Sequence, residues 1–419
     1  MRFMKKILLF IIVICVFNGL SAQVKSGIEV LREANFKMLA GKKVGLITNQ
    51  TGVDSRLKSS IDILFEASNV NLVALYSPEH GIRGDVTAGD DINNAKDVRT
   101  GLPIYSLYGP TKKPTSAMLQ GIDVLVYDLQ DIGCRSYTYI STMGLAMEAA
   151  AENNIEFVVL DRPNPLGGNK FEGQPNVESN LISFVSQFPI TYVHGFTVGE
   201  LAQFLNEEGI LKNAVKCKLT VVKMKGWKRK MNFEATGLPW VISSPHIPHP
   251  NTAYFYVLSG ILGEFHPFYI GIGYTLPFEF FGAEWIDAEK LAANLNALNV
   301  PGVRFRPVHY RPYYNLRDSK YNFKEATYLH GVQTYITDFD KIPLSLIQFY
   351  VLQECHKLHP DRNVFEEHKD RLRMFDQVCG SSRIREAFTK DFTVKSIQEI
   401  WNKDVDSFKK KAKQYFLYK

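Results

Sequence analysis

Asn71-Leu-Val-Ala-Leu-Tyr-Ser-Pro-Glu-His-Gly-Ile-Arg-Gly84 sets a short apolar run against a turn that holds a carboxylate, an imidazole and a guanidinium. The run to Tyr76 has the length and unbroken hydrophobicity of a strand buried on both faces. Pro78 bars helix at Ser77 and fixes its own φ, while Gly81 and Gly84 admit backbone geometries that other residues resist. Acid–base groups on a turn that leaves a buried strand are where an α/β protein keeps its chemistry. Glu79 is therefore the candidate catalytic acid or base. His80 beside it either orients that carboxylate or bonds a backbone carbonyl. Arg83 either binds a substrate carboxylate or pairs with Asp85.

Outward from this stretch the same pattern repeats. Val44-Gly-Leu-Ile-Thr48, Asp123-Val-Leu-Val-Tyr127 and Phe157-Val-Val-Leu160 read as three more buried strands. Helical spacing falls between them, at Leu57 to Ala67 and at Tyr139 to Glu152. Continuous apolar strands alternating with helices predict a parallel sheet covered on both faces, hence an α/β chain with a Rossmann-like sheet. In such a sheet every strand exit lies along one edge. Here the exits carry Asn49 and Gln50, then Glu79 and His80, then Asp128, Asp131 and Arg135, then Asp161. Turn chemistry explains any one of these, and four together suggest a cleft. Asp131 and Arg135 also read as a simple ion pair. There is no GxGxxG after the first strand and no Walker A pattern, so the sheet implies neither a dinucleotide nor a nucleoside triphosphate, and no cofactor is expected.

From residue 166 to 285 proline, glycine and aromatic residues dominate, as in binding loops or lids. A capping box at Thr197 and Glu200 starts one helix, and Lys218 to Val222 reads as a strand. Tyr254, Phe255, Tyr256, Phe265, Phe268, Tyr269 and Tyr274 suit either sugar stacking or core packing. His194 suits core or cleft. Beyond Asp287 come a helix at Ala288 to Ala297, strands near Val303 to Pro307 and Gly331 to Ile336, and helices at Leu344 to Leu358, Arg383 to Phe388 and Val394 to Tyr415. The predicted organisation is a leader at 1–22, a Rossmann-like catalytic domain at 23–285 and a smaller α+β domain at 286–419, with the active cleft between the two domains.

The leader is read from Met1-Arg-Phe-Met-Lys-Lys6, an apolar run from Ile7 to Phe17, and small residues at Leu20-Ser-Ala22, the three parts of a secretory signal peptide. Gln23 follows in place of a lipoprotein cysteine. A periplasmic or secreted chain without a stable membrane anchor is expected. The formal net charge is +6, and loss of Arg2, Lys5 and Lys6 with the leader leaves about +3. The one basic run, Lys223-Met-Lys-Gly-Trp-Lys-Arg-Lys230, is too short for a nucleic-acid footprint, so no nucleic-acid partner is expected. The four cysteines beyond the leader show no CxxC, and spacing favours Cys355 with Cys379 if any pair forms. The histidines sit among prolines, off ligand spacing, and no metal is expected.

These motifs together resemble one family, the secreted bacterial exo-β-N-acetylmuramidases, formerly a domain of unknown function. The resemblance rests on Val44-Gly-Leu-Ile-Thr-Asn-Gln-Thr-Gly-Val-Asp54, Ser77-Pro-Glu-His-Gly-Ile-Arg-Gly84, Leu102-Pro-Ile-Tyr-Ser-Leu-Tyr-Gly109 and Asp128-Leu-Gln-Asp-Ile-Gly133 with Tyr137-Thr-Tyr-Ile-Ser-Thr142. Leu160-Asp-Arg-Pro-Asn-Pro-Leu-Gly-Gly168, His194-Gly and Leu276-Pro-Phe-Glu279 complete it, so it spans the mature chain. It implies release of N-acetylmuramic acid from the non-reducing ends of peptidoglycan fragments, with Glu79 as the catalytic carboxylate. Substrate contacts are expected from Asn49, Gln50, Arg83, Asp128, Asp131, Arg135, Tyr137, Asp161, His194 and Glu279. The second catalytic group is one of Asp128, Asp131, Asp161 and Glu279, or the acetamido group of the sugar. One stretch departs. Gly271-Ile-Gly-Tyr-Thr275 places Ile272 where the family has an arginine, so a substrate carboxylate would fall to Arg83, Arg135 or His266, or the sugar would differ. The competing class is a non-catalytic muropeptide-binding protein.

Overall fold

The computed structural model describes residues 23–84, 95–311 and 328–419. The leader and Asp85 lie outside them. The apolar runs form β1 (Lys43–Thr48), β2 (Asn71–Ser77), β3 (Ala95–Lys96), β4 (Pro103–Ser106), β5 (Val124–Asp128), β6 (Glu156–Leu160) and β7 (Lys218–Val222). These make one seven-stranded sheet in the order β3-β4-β2-β1-β5-β6-β7. All its pairs are parallel except β3 with β4.

Both faces of the sheet are covered, which is why its strands show no polar alternation. Leu46, Val126 and Val158 join Ile28, Leu31 and Ile61 on one side. Ile47, Tyr127 and Val159 join Ile140, Met143 and Leu201 on the other. Each such side chain contributes about 1.5–3 kcal/mol by leaving water.

The chain winds from β1 through β2 towards β4, then returns to lay β5 on the opposite flank of β1. The crevice beyond β1 and β5 is thus the switch point where sheets of this winding bind ligands. Here protein fills it. Phe233, Leu238, Pro239 and Trp240 lie against Thr51, Gln130 and Arg162 and leave about 10 Å³, room for a single water. Beside it, at the exit of β2, Glu79 is half-buried between buried Pro78 and His80.

β8 (Phe280–Ala283), β9 (Val303–Tyr310) and β10 (Leu329–Ile336) form a separate antiparallel sheet in the order β8-β10-β9. The helix Ala288–Ala297 packs on it, and the helices Ile347–Leu358, Thr252–Phe265 and Leu372–Cys379 pack in turn against that helix and one another. Phe265 stacks on Phe365 and meets Phe375, with ring centroids 4.8 and 5.2 Å away. The segment from Thr252 to Ala283, expected within the first domain, packs with the C-terminal elements. The aromatic run read as loop is a helix whose apolar side faces the C-terminal helices, and β8 pairs with β10.

Two further expectations change. The helix expected from Val394 to Tyr415 is broken at Asp404, whose φ of +62° no α-helix accepts. Among the described residues all four cysteines are free and buried, so Cys355 and Cys379 do not pair. No described helix is long and apolar enough to cross a membrane.

Candidate active site

Glu79 sits on the turn that leaves β2, half-buried. The turn is tight: Gly81 N–H donates to the Pro78 carbonyl at 3.2 Å, and His80 and Gly81 have φ of +71° and +77°. A left-handed histidine costs of order 1–3 kcal/mol, and such strain gathers at functional sites. Thr138 Oγ1 donates to Glu79 Oε2 at 2.5 Å. Thr138 is the residue before the Tyr139–Glu152 helix, so β5 and its helix aim a hydroxyl at the carboxylate delivered by β2.

Neighbouring exits build the wall. Asn49 Nδ2 donates to Tyr139 Oη at 2.8 Å, and that phenol donates in turn to the Ser243 carbonyl. Gln50 Nε2 donates to the Ile242 carbonyl at 2.9 Å. Burial of Tyr139, with Tyr137 and Glu79 nearby, holds its phenol well above the usual range, so it stays protonated. Tyr137 meets the rings of Tyr139 and Tyr256 at 4.8 and 5.7 Å, joining the first module to the second. Gln50 Oε1, Ser77 Oγ and Asp131 Oδ1 are buried along this edge without a hydrogen-bond partner among the described residues. Orphaned acceptors and hydroxyls are rare in a folded interior, and a bound molecule or water would satisfy them.

The second module contributes from the segment ahead of the Thr252–Phe265 helix and from its small sheet. Burial and the proximity of His80 lower His246 from its ordinary value, which keeps it neutral near pH 7. Burial raises Glu279, against a 3.3 Å hydrogen bond from Gln333 Nε2 and the influence of His249.

Other expected site residues are engaged elsewhere. Asp128 is fully buried and held by Arg162, at 2.6 Å from Nε and 2.9 Å from Nη2. Asp161 accepts from Thr197 Oγ1, Gly199 N–H and Tyr418 Oη at 2.6–2.8 Å. It ties the Val198–Glu207 helix and the C-terminus to the sheet. Arg135 is 1% exposed, and its guanidinium donates to the carbonyls of Gln174, Ile190, Val378 and Cys379. In the structure Asp128, Asp161 and Arg135 are thus engaged with internal partners, and the guanidinium of Arg135 reaches backbone carbonyls instead of Asp131. His194 is fully buried, 3.4 Å from Asp131 Oδ2. It is a core residue. Arg83 pairs with Asp97 at 2.5 Å but leaves about half of its side chain in solvent.

Ile272 is buried and offers no charge. Burial and Arg371 push His266 down to about 4, so it is not a cation near neutrality. Of the three replacements considered for the missing arginine, Arg83 alone remains an accessible cation.

Thr138, Tyr139, His246, His249 and Gln333 were not singled out from the sequence. Thr138 and Tyr139 lay inside a recognised motif, and the histidines inside the Ser244-Pro-His-Ile-Pro-His249 run. Gln333 left no local signal, since only antiparallel register brings it to Glu279.

Known proteins agree with this architecture. Residues 44–251 match the family model for the N-terminal part of exo-beta-N-acetylmuramidase NamZ, and residues 254–418 match the model for its C-terminal part. The chain is 44% identical over 396 residues to the peptidoglycan beta-N-acetylmuramidase NamZ of Bacillus subtilis (strain 168), covering 94% of this chain and 92% of that one. It is similar to the crystal structure of a DUF1343 family protein from Bacteroides fragilis NCTC 9343 at 59% identity and a TM-score of 0.89, over 95% of this chain and 99% of that one. A second DUF1343 structure from that organism, 29% identical, has a TM-score of 0.72 over the same shares. Two family models end to end, over most of its length, show that this chain belongs to the exo-β-N-acetylmuramidase NamZ family.

Proposed function

We propose that this protein is an exo-acting glycoside hydrolase that removes N-acetylmuramic acid from the non-reducing ends of peptidoglycan fragments, with Glu79 as its acid or base. The observation that carries this is the carboxylate itself. Glu79 is presented half-buried on a strained turn at the polar edge of the sheet and oriented by Thr138, in a chain 44% identical to a named muramidase. Glycoside hydrolysis needs a group to protonate the leaving oxygen and a second group on the other face of the ring. Of the four carboxyls considered for that second role, Asp128 and Asp161 are committed to internal partners. Glu279 and Asp131 remain, as does the acetamido group of the sugar. Half-buried Gln50 is the polar group at this edge placed for a sugar hydroxyl, while Asn49 is buried and bonded to Tyr139 and Thr51.

The N-terminal leader supports export to the periplasm or beyond, where these fragments occur. Sequencing of the mature protein is expected to begin at Gln23, and a chain that retains Met1 would oppose this.

A chromogenic N-acetylmuramic acid glycoside tests the chemistry. Replacing Glu79 by Gln is expected to lower release by about 10²–10⁴-fold, the usual contribution of a positioned acid or base. Release that survives Glu79→Gln would overturn the assignment. No release by the unaltered protein, with muropeptides still bound, would favour a glycan-binding protein.

A further inference from the structure

The small sheet carries polar residues on a face that the acid–base chemistry does not use. Arg306 stands opposite Gln333, Arg304 opposite Tyr335, and Gln333 opposite Phe280. Directly opposed residues share a face. Arg304, Arg306, Gln333 and Tyr335 therefore stand together, on the side away from Val303, Phe305 and Val332, which pack into the core.

Gln333 is 6% exposed and its amide is pinned at both ends. Its Oε1 accepts from Arg306 Nη2 at 2.9 Å and from Tyr335 Oη at 3.0 Å, and its Nε2 donates to Glu279 Oε2 at 3.3 Å. One side chain thus fixes a guanidinium and the Glu279 carboxyl relative to each other. Among the described residues Arg306 has this amide for a partner and Arg304 its neighbour's carbonyl, and neither has a carboxylate. Both arginines remain in solvent. The other half of the face is closed, because Tyr269, Tyr274 and Leu276 from the Ile272 loop cluster with Val308 and Tyr310. The remaining half therefore presents two exposed guanidinium groups that, among the described residues, have no carboxylate partner, with a half-exposed phenol ring and an oriented amide that reaches Glu279. Planar guanidinium groups match carboxylates with paired hydrogen bonds, and an aromatic ring beside them suits a sugar face.

We propose that Arg306, aligned by Gln333 and flanked by Arg304 and Tyr335, is the subsite that takes a carboxylate borne by the substrate sugar. In a muramyl glycoside this is the acid of the lactyl ether. The assignment rests on the muramidase reading for its ligand and supplies a cation in a chain where Ile272 offers none.

Calorimetry on the full-length Glu79→Gln protein tests it without turnover. N-acetylmuramic acid is expected to bind at least about ten-fold more tightly than N-acetylglucosamine, which lacks the acid. Adding Arg306→Ala is expected to bring the two sugars together, and Arg306→Lys to restore part of the difference. In the active protein Arg306→Ala is expected to raise KM for the muramyl glycoside about ten-fold while kcat changes by less than about three-fold. Equal binding of the two sugars before any change at Arg306 would overturn the subsite. So would undiminished discrimination in a folded Arg306→Ala protein with an unchanged melting midpoint. A chain that hydrolyses nothing, yet loses its discrimination on Arg306→Ala, would support the subsite and overturn the hydrolase reading.

Discussion

Arg135 is the residue for which sequence and structure make the sharpest opposing claims. As a substrate ligand it would be dispensable for folding. As placed, it fastens the sheet module to the helix that ends at Cys379. Its guanidinium reaches Gln174 and Ile190 carbonyls at 3.0 and 2.8 Å through Nη1, and Val378 and Cys379 carbonyls at 3.2 and 2.8 Å through Nη2. Gly380 packs so closely that a Cβ there would lie 2.9 Å from Nη2. Truncation to alanine strands the Gln174 and Ile190 carbonyls, at about 1–3 kcal/mol each before any water enters the space, and leaves those of Val378 and Cys379 to Ser186 Oγ and Gln174 Nε2. Against that, burial already pushes the guanidinium below its ordinary value. Removing a buried charge that lacks an acidic partner returns several kcal/mol. The net loss expected is about 1–3 kcal/mol, within the usual range of a destabilising single substitution. Urea unfolding followed by tryptophan fluorescence reads this directly, since Trp401 lies 5.8 Å from Tyr192 in the same contact region. The Arg135→Ala molecules that remain folded should turn over muramyl glycoside within about three-fold of the unaltered rate. A variant of undiminished stability that had lost its activity would refute the structural role.

Asp161 carries the main pH consequence. Burial raises its carboxyl from 3.8 to about 7. The folded chain therefore keeps a proton that the unfolded chain has released, and stability falls as pH rises from about 4 to about 7, by about 3–4 kcal/mol. Asp161→Asn should flatten that dependence in denaturation curves while lowering stability at every pH, and an unchanged slope would contradict the account. Thr138→Val removes the hydroxyl that orients Glu79. It is expected to lower kcat about ten-fold and stability by no more than about 1 kcal/mol, so an effect confined to KM would count against orientation. Gly84→Ala puts a Cβ 2.3 Å from the Gln50 amide at a φ of +74°. It should cost about 1–3 kcal/mol and release Gln50 from Ile242, visible as a raised KM. Normal kinetics in that variant would separate Gln50 from the site.

The sheet was legible because its strands are buried on both faces, and unbroken apolar runs such as Val44 to Thr48 need no partner to be recognised. Turn chemistry marks where those strands end, so the positions of Glu79, Asn49 and Gln50 at strand exits are legible from local pattern. Roles at the exits were less legible. Asp128 and Glu79 look alike in sequence, and only the arrival of Arg162 from the next exit neutralises one of them. Arg135 reads as a ligand until two distant segments wrap it in carbonyls. The Thr252–Phe265 helix escaped because its aromatic side chains hide the 3.6-residue period, being apolar on nearly every side of a buried helix. Gln333 and Arg306 depend on strand register, which the masked periodicity of a short antiparallel sheet does not fix.

The central claim is that Glu79 acts on the glycosidic bond. A crystal structure of the Glu79→Gln protein with an intact muramyl disaccharide measures it in one distance. The account expects the residue 79 side-chain amide within about 3.2 Å of the glycosidic oxygen, or one water away from it. A sugar bound with that bond beyond such reach, served by another carboxyl, would contradict it.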